Sequence, residues 1–344
     1  MAEYMGLTTD GEMFAAPEEE IFVKYYEKNW SEIASKTYYG SENFDLGHRL
    51  RPRLVYWGFL AGTDSPLNDE QFDSVAKVAV CVELIHKSSL LLDDIIDKDT
   101  MRHGYPSFYT IYGTDKAIMF TINLLCTALK TMTEVYYRHS IGGSYYYKSM
   151  IVVIDTLYNM SLGVLMELDL ESKDFVNIHK IKEIIELETS SLIGNSLLLG
   201  YFLSEKCEES IEEMLERIGQ KLGYAFQVLN DLEPFCNSQN EEHKGSLNTD
   251  ISHDRKNICI PILMELMSKA DAKRLTSFSD NSYIINMFNK YNIRRIMIDD
   301  IDNVILWIED ELEEHSYEVK YPNWAQEFKQ FILSVITVFE SRLG

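Results

Sequence analysis

The stretch Leu84-Ile85-His86-Lys87-Ser88-Ser89-Leu90-Leu91-Leu92-Asp93-Asp94-Ile95-Ile96-Asp97, followed by Arg102, decides how the chain is read. It is an apolar helical run that ends in three carboxylates spaced D-D-x-x-D. At ~100° per residue, Asp93 and Asp97 lie one turn apart on one helix face. Two carboxylates so placed repel each other, and the spacing costs helix stability unless a cation bridges it. A hard divalent ion such as Mg²⁺ suits oxygen ligands and commonly shares its shell with substrate phosphates. Ser89 and His86 sit one and two turns upstream near the same face. Arg102 lies just past the helix end, where a guanidinium can grip phosphate oxygens in a bidentate way. The residues therefore predict a magnesium–diphosphate site at the end of a buried helix.

Outward from this helix the pattern stays helical. Periodicity begins near Glu19 and runs to about Ser35, a loop covers Asn43 to Pro52, and a second helix starts at Arg53. Asp64 to Glu70 is a break rich in capping residues, from which the long helix to Asp97 departs. Beyond the Gly104-Tyr105-Pro106 turn, helices are predicted near 114–138, 146–171, 177–203 and 208–229, with acidic helices over 301–314 and 324–343. Strand signals are nearly absent and prolines number only 7. The expected fold is all-α: residues 1–18 form a tail and 19–344 a single helical bundle domain. The polar stretch Asn237 to Ser246 follows a second acidic element, Asn230-Asp231-Leu232-Glu233, and reads equally as a lid or as a plain surface connection.

The composition bounds the function. The 344 residues are 46% hydrophobic and 12% aromatic, enough for a sizeable core. Lys plus Arg total 32 against 55 Asp plus Glu, a net charge of −23. A field of that sign repels nucleic acid, so an anionic substrate needs local cations or a bound metal. Five scattered cysteines without metal-ligand spacing predict reduced thiols and a cytoplasmic protein. No signal pattern and no membrane-span run is expected.

These motifs together resemble the trans-isoprenyl diphosphate synthases. The first aspartate-rich motif is followed by Arg102-His103-Gly104-Tyr105-Pro106, similar to Arg-x-Gly-x-Pro in that family. Gly47-His48-Arg49-Leu50-Arg51-Pro52 resembles G-K-R-x-R-P, and Phe226-Gln227-Val228-Leu229-Asn230-Asp231 resembles F-Q-x-x-D-D. Asp250-Ile251 with Arg255 extends the collinear matches to about residue 261. The resemblance implies a helical bundle around a deep apolar cavity, a homodimer, and Mg²⁺-assisted loss of diphosphate from an allylic prenyl diphosphate. It implies metal ligands at Asp93, Asp94, Asp97, Asn230 and Asp231, with Arg102 on the allylic phosphate. His48, Arg51, His86 and His103 fall on the implied isopentenyl-diphosphate site. Ser88, Ser89, Thr189, Gln227, Lys244 and Arg255 complete the implied substrate contacts.

The departures sharpen the expectation. Asn230 and Pro234 stand where the second motif has Asp, Glu188 stands for the Lys of Lys-Thr, and Gly163 to Glu167 stands where G-Q-x-x-D is common. His48 replaces Lys and His103 replaces a second Arg; unperturbed His titrates near ~6.5, so both fixed charges become conditional. Ser88 and Ser89, five and four residues before Asp93, are small where short-chain members place aromatic rings, implying a fifteen- or twenty-carbon chain, with Phe120 or Met119 as other candidates to close the cavity. Three readings follow: a prenyltransferase, placed first; a terpene cyclase in which the substrate's own double bonds capture the cation; and a non-catalytic partner subunit of an active synthase.

Overall fold

The computed structural model describes residues 17–40, 49–64, 66–102, 104–139, 144–170, 177–204, 206–236, 257–271 and 281–343. The helices are α1 (Pro17–Ala34), α2 (Leu50–Ala61), α3 (Asp69–Asp97), α4 (Phe108–Tyr112), α5 (Thr114–His139), α6 (Ser144–Leu168), α7 (Ile178–Ile185), α8 (Ser191–Leu203) and α9 (Glu209–Cys236). They continue with α10 (Cys259–Leu266), α11 (Asn281–Lys290), α12 (Ile293–His315) and α13 (Trp324–Ser341). The described β structure is one hairpin of two-residue strands, β1 (Met101–Arg102) and β2 (Tyr105–Pro106), antiparallel with Arg102 opposite Tyr105. The all-α expectation therefore holds.

Local chemistry sets the helix ends that matter for the site. Asn68 caps α3 through a reciprocal capping box with Gln71, whose backbone N–H donates to Asn68 Oδ1 at 2.9 Å. The same helix stops where Lys98 turns left-handed at φ 60°, immediately after Asp97. α1 carries Glu18, Glu19 and Glu20 in its first turn, which suits the positive end of the helix. Glu19 is fully buried there and accepts from Arg53 Nε at 2.6 Å and Trp57 Nε1 at 3.3 Å, pinning α1 to α2. One contiguous core joins α1, α2, α3, α5, α8, α9, α12 and α13, with Tyr26, Tyr56, Trp57, Phe202 and Trp324 among its fully buried rings. Helices α8 and α9 touch backbone to backbone at Gly194 and Gly219, where a Cβ on Gly219 would lie 2.2 Å from Gly194 Cα.

Several expected boundaries shift. α2 begins at Leu50 rather than Arg53, because Pro52 falls in the first turn, where its missing N–H has no helical partner to lose. The helix expected over 177–203 is broken into α7 and α8 by a π-helical turn at Glu186–Ser190. α9 continues past 229 through the second acidic element and includes Pro234. Helix α12 begins earlier than expected, and the short helices α4, α10 and α11 were not anticipated. The expectation of no span-length run is also corrected. Thr114–Arg138 and Tyr145–Leu168 are long and apolar enough to cross a membrane by length and composition, with only 33% and 22% of those windows buried. Their open faces carry Ile118, Met119 and Ile122 on α5 and Ile151, Ile154, Tyr158 and Leu165 on α6. The alternation of these residues with Lys, Asp and Thr hid the net apolar character of both segments.

Candidate active site

The acidic end of α3 divides its labour by burial. Asp94 is 2% exposed, and its Oδ1 accepts from Arg102 Nε and Nη2, each at 2.7 Å. Burial nonetheless raises the Asp94 pKa above the ordinary carboxylate value, with the charges of Asp99 and Asp97 adding to it and Arg102 opposing it. Asp93 is half-buried, and Asp97 is exposed at the last turn. The two-strand hairpin presents Arg102, and Ser107 N–H closes its base on Thr100 O at 2.9 Å. Among the described residues no three His, Cys, Asp or Glu side chains converge as a metal cluster. Asp94 is engaged by arginine, leaving Asp93 and Asp97 as the pair on the open face.

About two turns earlier on α3 lies a cluster of basic side chains. The His86 pKa is held well below its usual value by burial first, then by the charges of Arg51, Lys87 and Arg102. That cause places Arg51, His86, Lys87 and Arg102 within one electrostatic neighbourhood, drawn from α2, α3 and the hairpin. Burial lowers the Arg51 pKa, opposed by Glu83. Arg51 Nε is buried without a hydrogen-bond partner. Glu83, itself buried, pairs with Lys87 at 3.2 Å. Lys87 and Arg102 are thus each balanced by a carboxylate, Glu83 and Asp94, while Arg51 adds a further guanidinium to this end of α3. The sequence reading missed Lys87 and Glu83; their i,i+4 spacing on the motif helix was the available signal. Ser88 and Ser89 turn their hydroxyls onto their own helix, donating to Ile85 O at 2.6 Å and His86 O at 2.9 Å. Phe120 is buried in a ring cluster with Tyr39, Phe108 and Tyr112, whereas Met119 is 61% exposed on the outer face.

The second acidic element is differently employed. Thr189 Oγ1 donates to Gln227 Oε1 at 2.9 Å, and Gln227 Nε2 donates to Asp231 Oδ1 at 2.7 Å. Asp231 Oδ2 accepts the Ile258 N–H at 2.7 Å. Asn230 is exposed. Glu188 lies in the π-helical turn and packs on Gly163 of α6, where a Cβ would meet Glu188 Cγ at 2.4 Å. π-turns of this kind often mark functional positions. His48, His103, Lys244, Arg255 and the Asn237–Ser246 stretch lie outside the described residues. A surface concavity of about 500 Å³ between α11, α12 and α13, bordered by Arg294 and Glu340, contains none of the motif residues.

Residues 38–283 match the family model for polyprenyl synthetases. The chain is 26% identical over 235 residues to a geranylgeranyl diphosphate synthase of Saccharolobus solfataricus, covering 68% of each protein. It is 23% identical over 259 residues to a short chain isoprenyl diphosphate synthase of Methanocaldococcus jannaschii, covering 75% of each. Its fold matches the crystal structure of a polyprenyl synthase from Caulobacter crescentus, solved with calcium and isoprenyl diphosphate. The TM-score there is 0.72 at 16% identity, covering 93% of this chain and 94% of that one.

Proposed function

The chain belongs to the polyprenyl synthetase family, and from that membership we infer that it is a prenyltransferase of isoprenoid biosynthesis. Its reaction is the transfer of an allylic prenyl group, of fifteen or twenty carbons, from diphosphate to isopentenyl diphosphate with formation of a carbon–carbon bond. The observation that carries this reading is the cluster of basic side chains Arg51, His86, Lys87 and Arg102 gathered around the helix that bears Asp93 and Asp97, in which Arg51 Nε is buried without a hydrogen-bond partner. An orphaned buried guanidinium nitrogen is costly, and an anionic ligand satisfies it.

The donor set fits a divalent cation, which we take to be Mg²⁺. Asp93 and Asp97 are hard oxygen ligands one turn apart, and Mg²⁺ is ordinarily held by one or two carboxylates together with substrate phosphates. The bound ion supplies positive charge to the departing diphosphate. Arg102, held in place by Asp94, would neutralise charge on the same leaving group. Arg51 and His86 hold the second diphosphate; a bound anion raises the His86 pKa and turns its ring into a second donor. The packed apolar wall of α3, α5 and α8 keeps water from the allylic cation. We assign these residues to one helical domain and place its work in the cytoplasm, in keeping with five cysteines that are all free thiols.

The active form is a homodimer. A second copy of the chain covers the apolar faces of α5 and α6, which are otherwise exposed along Ile118, Ile122, Ile151, Ile154 and Tyr158. Incubation with Mg²⁺ and farnesyl diphosphate, with and without isopentenyl diphosphate, tests the reaction. An elongated diphosphate formed only with acceptor is expected. A hydrocarbon formed without acceptor identifies a cyclase instead, and no turnover in either arm identifies a non-catalytic partner.

A further inference from the structure

The proposal concerns the wall formed by α9, and it rests on the metal–diphosphate reading above. Four features of that wall coincide. Asp231 is 6% exposed, and both of its carboxylate oxygens are engaged, Oδ1 by Gln227 Nε2 and Oδ2 by the Ile258 N–H, each at 2.7 Å. Its backbone carbonyl accepts from Asn257 Nδ2 at 2.8 Å and from Cys259 Sγ at 3.8 Å. Asn257 in turn accepts the Cys259 N–H at 3.0 Å, so Asp231 and Asn257 together close the entry to α10. Gln227, fixed by Asp231, receives Thr189 Oγ1 from the π-helical turn. One carboxylate therefore ties three separate pieces of chain together. Its neighbours offer little to a cation. Asn230 is neutral, Pro234 has no side-chain oxygen, and Glu233 is rotated ~200° around the helix from Asp231.

We propose that, among the described residues, the metal ions are carried by the Asp93–Asp97 wall and not by Asp231, and that Asp231 is a positioning residue that sets Gln227 and Thr189 and latches the start of α10. Two short hydrogen bonds, one on each oxygen, fix the orientation of this buried carboxylate and use about half of its acceptor sites. A cation there would have to share oxygens already committed to Gln227 and to the start of α10, with no second charged ligand from Asn230 or Pro234.

The chemistry of the latch gives a clean test. In Asp231→Asn the amide oxygen keeps the Ile258 N–H. Its NH₂ group donates to Gln227 Oε1 once the Gln227 amide flips, and Gln227 Nε2 then donates to Thr189 Oγ1. Every link re-forms with reversed polarity, whereas a metal ligand has no such rescue. Mn²⁺ binding to the full-length protein with inorganic diphosphate is counted by electron paramagnetic resonance of the free ion, and apo-protein melting is measured in chelator. Asp231→Asn is expected to retain the wild-type Mn²⁺ count. Asp97→Asn is expected to weaken Mn²⁺ binding by at least about tenfold, since even outer-shell changes commonly cost that much. Asp231→Ala is expected to lower the apo melting temperature, because the latch works without metal. Loss of a bound Mn²⁺ in Asp231→Asn, or an apo melting temperature of Asp231→Ala equal to or above wild type, overturns the proposal. If Asp231→Asn also melts early, the apo melting of Asp231→Ala still decides. Wild-type protein that binds no Mn²⁺ with diphosphate refutes the functional reading itself, a separate outcome from either result at Asp231.

Discussion

Arg102→Ala isolates the link between stability and the acidic end of α3. The substitution strands the Asp94 carboxylate at 2% exposure, after removing two hydrogen bonds of 2.7 Å to one oxygen. Hydrogen bonds to charged groups contribute about 1.5–3 kcal/mol net, and breaking a fully buried pair costs about 3–5 kcal/mol. The Arg102 side chain keeps 26% of its exposure, which lets water reach the vacated position. A loss of ~2–3 kcal/mol is therefore expected. With unfolding entropy of about 2.1 cal/mol/K per residue, a chain of 344 residues loses roughly 3–4 °C of melting temperature. The double variant Asp94→Asn/Arg102→Ala removes the stranded charge and is expected to melt above Arg102→Ala alone. Denaturant unfolding of the four members of the cycle at pH 7.5 gives the coupling energy, expected at about 1.5–3 kcal/mol. Additive losses, with coupling below about 0.5 kcal/mol, would show that Asp94 does not hold Arg102.

Other consequences are as direct. Gly219→Ala drives a Cβ to 2.2 Å from the Gly194 backbone, and overpacking at a helix crossing is expected to cost at least ~1–3 kcal/mol in thermal or urea unfolding; an unchanged melting temperature would mean that α8 and α9 separate freely. His86 has a folded pKa below its unfolded value near ~6.5, so below that pH the unfolded chain takes up the extra proton and stability falls as the pH drops. The urea midpoint should decline between pH 8 and 5.5, and His86→Gln should flatten that decline; equal slopes in both proteins contradict it. Ile154→Asp with Ile122→Asp places charge on the open faces of α5 and α6, and light scattering should report half the wild-type mass, whereas a monomeric wild type removes the dimer.

Much of the fold was legible because helical periodicity and capping chemistry are local. Asn68 and Gln71, the break before them and the apolar run to Asp97 predict α3 almost to the residue. The π-turn was not legible, since nothing in Glu186-Leu187-Glu188-Thr189-Ser190 distinguishes one extra residue per turn from an ordinary helix. Nor was the division among the carboxylates. Asp93, Asp94 and Asp97 look equivalent in a one-dimensional motif, and burial against the hairpin is what commits Asp94 to Arg102. Asp231 reads in the sequence as half of an acidic pair; its partners lie 26 and 27 positions downstream at Asn257 and Ile258, too far for local pattern to reveal. The cluster at Arg51, His86 and Arg102 was found through motif spacing, while the flanking Glu83–Lys87 pair, though legible as i,i+4 spacing on α3, gains its meaning only from the burial of Glu83 beside Arg51.

The most direct test is the rate of diphosphate release from geranylgeranyl or farnesyl diphosphate in the presence of Mg²⁺ and isopentenyl diphosphate, compared between wild type and Asp97→Ala. Removing a preorganised charge-stabilising group typically costs about 10²–10³ in kcat. A loss of that order, with an unchanged melting temperature because Asp97 is exposed and outside the core, is the expected result. Equal release rates in the two proteins would mean that the acidic end of α3 is not where the allylic diphosphate is ionised.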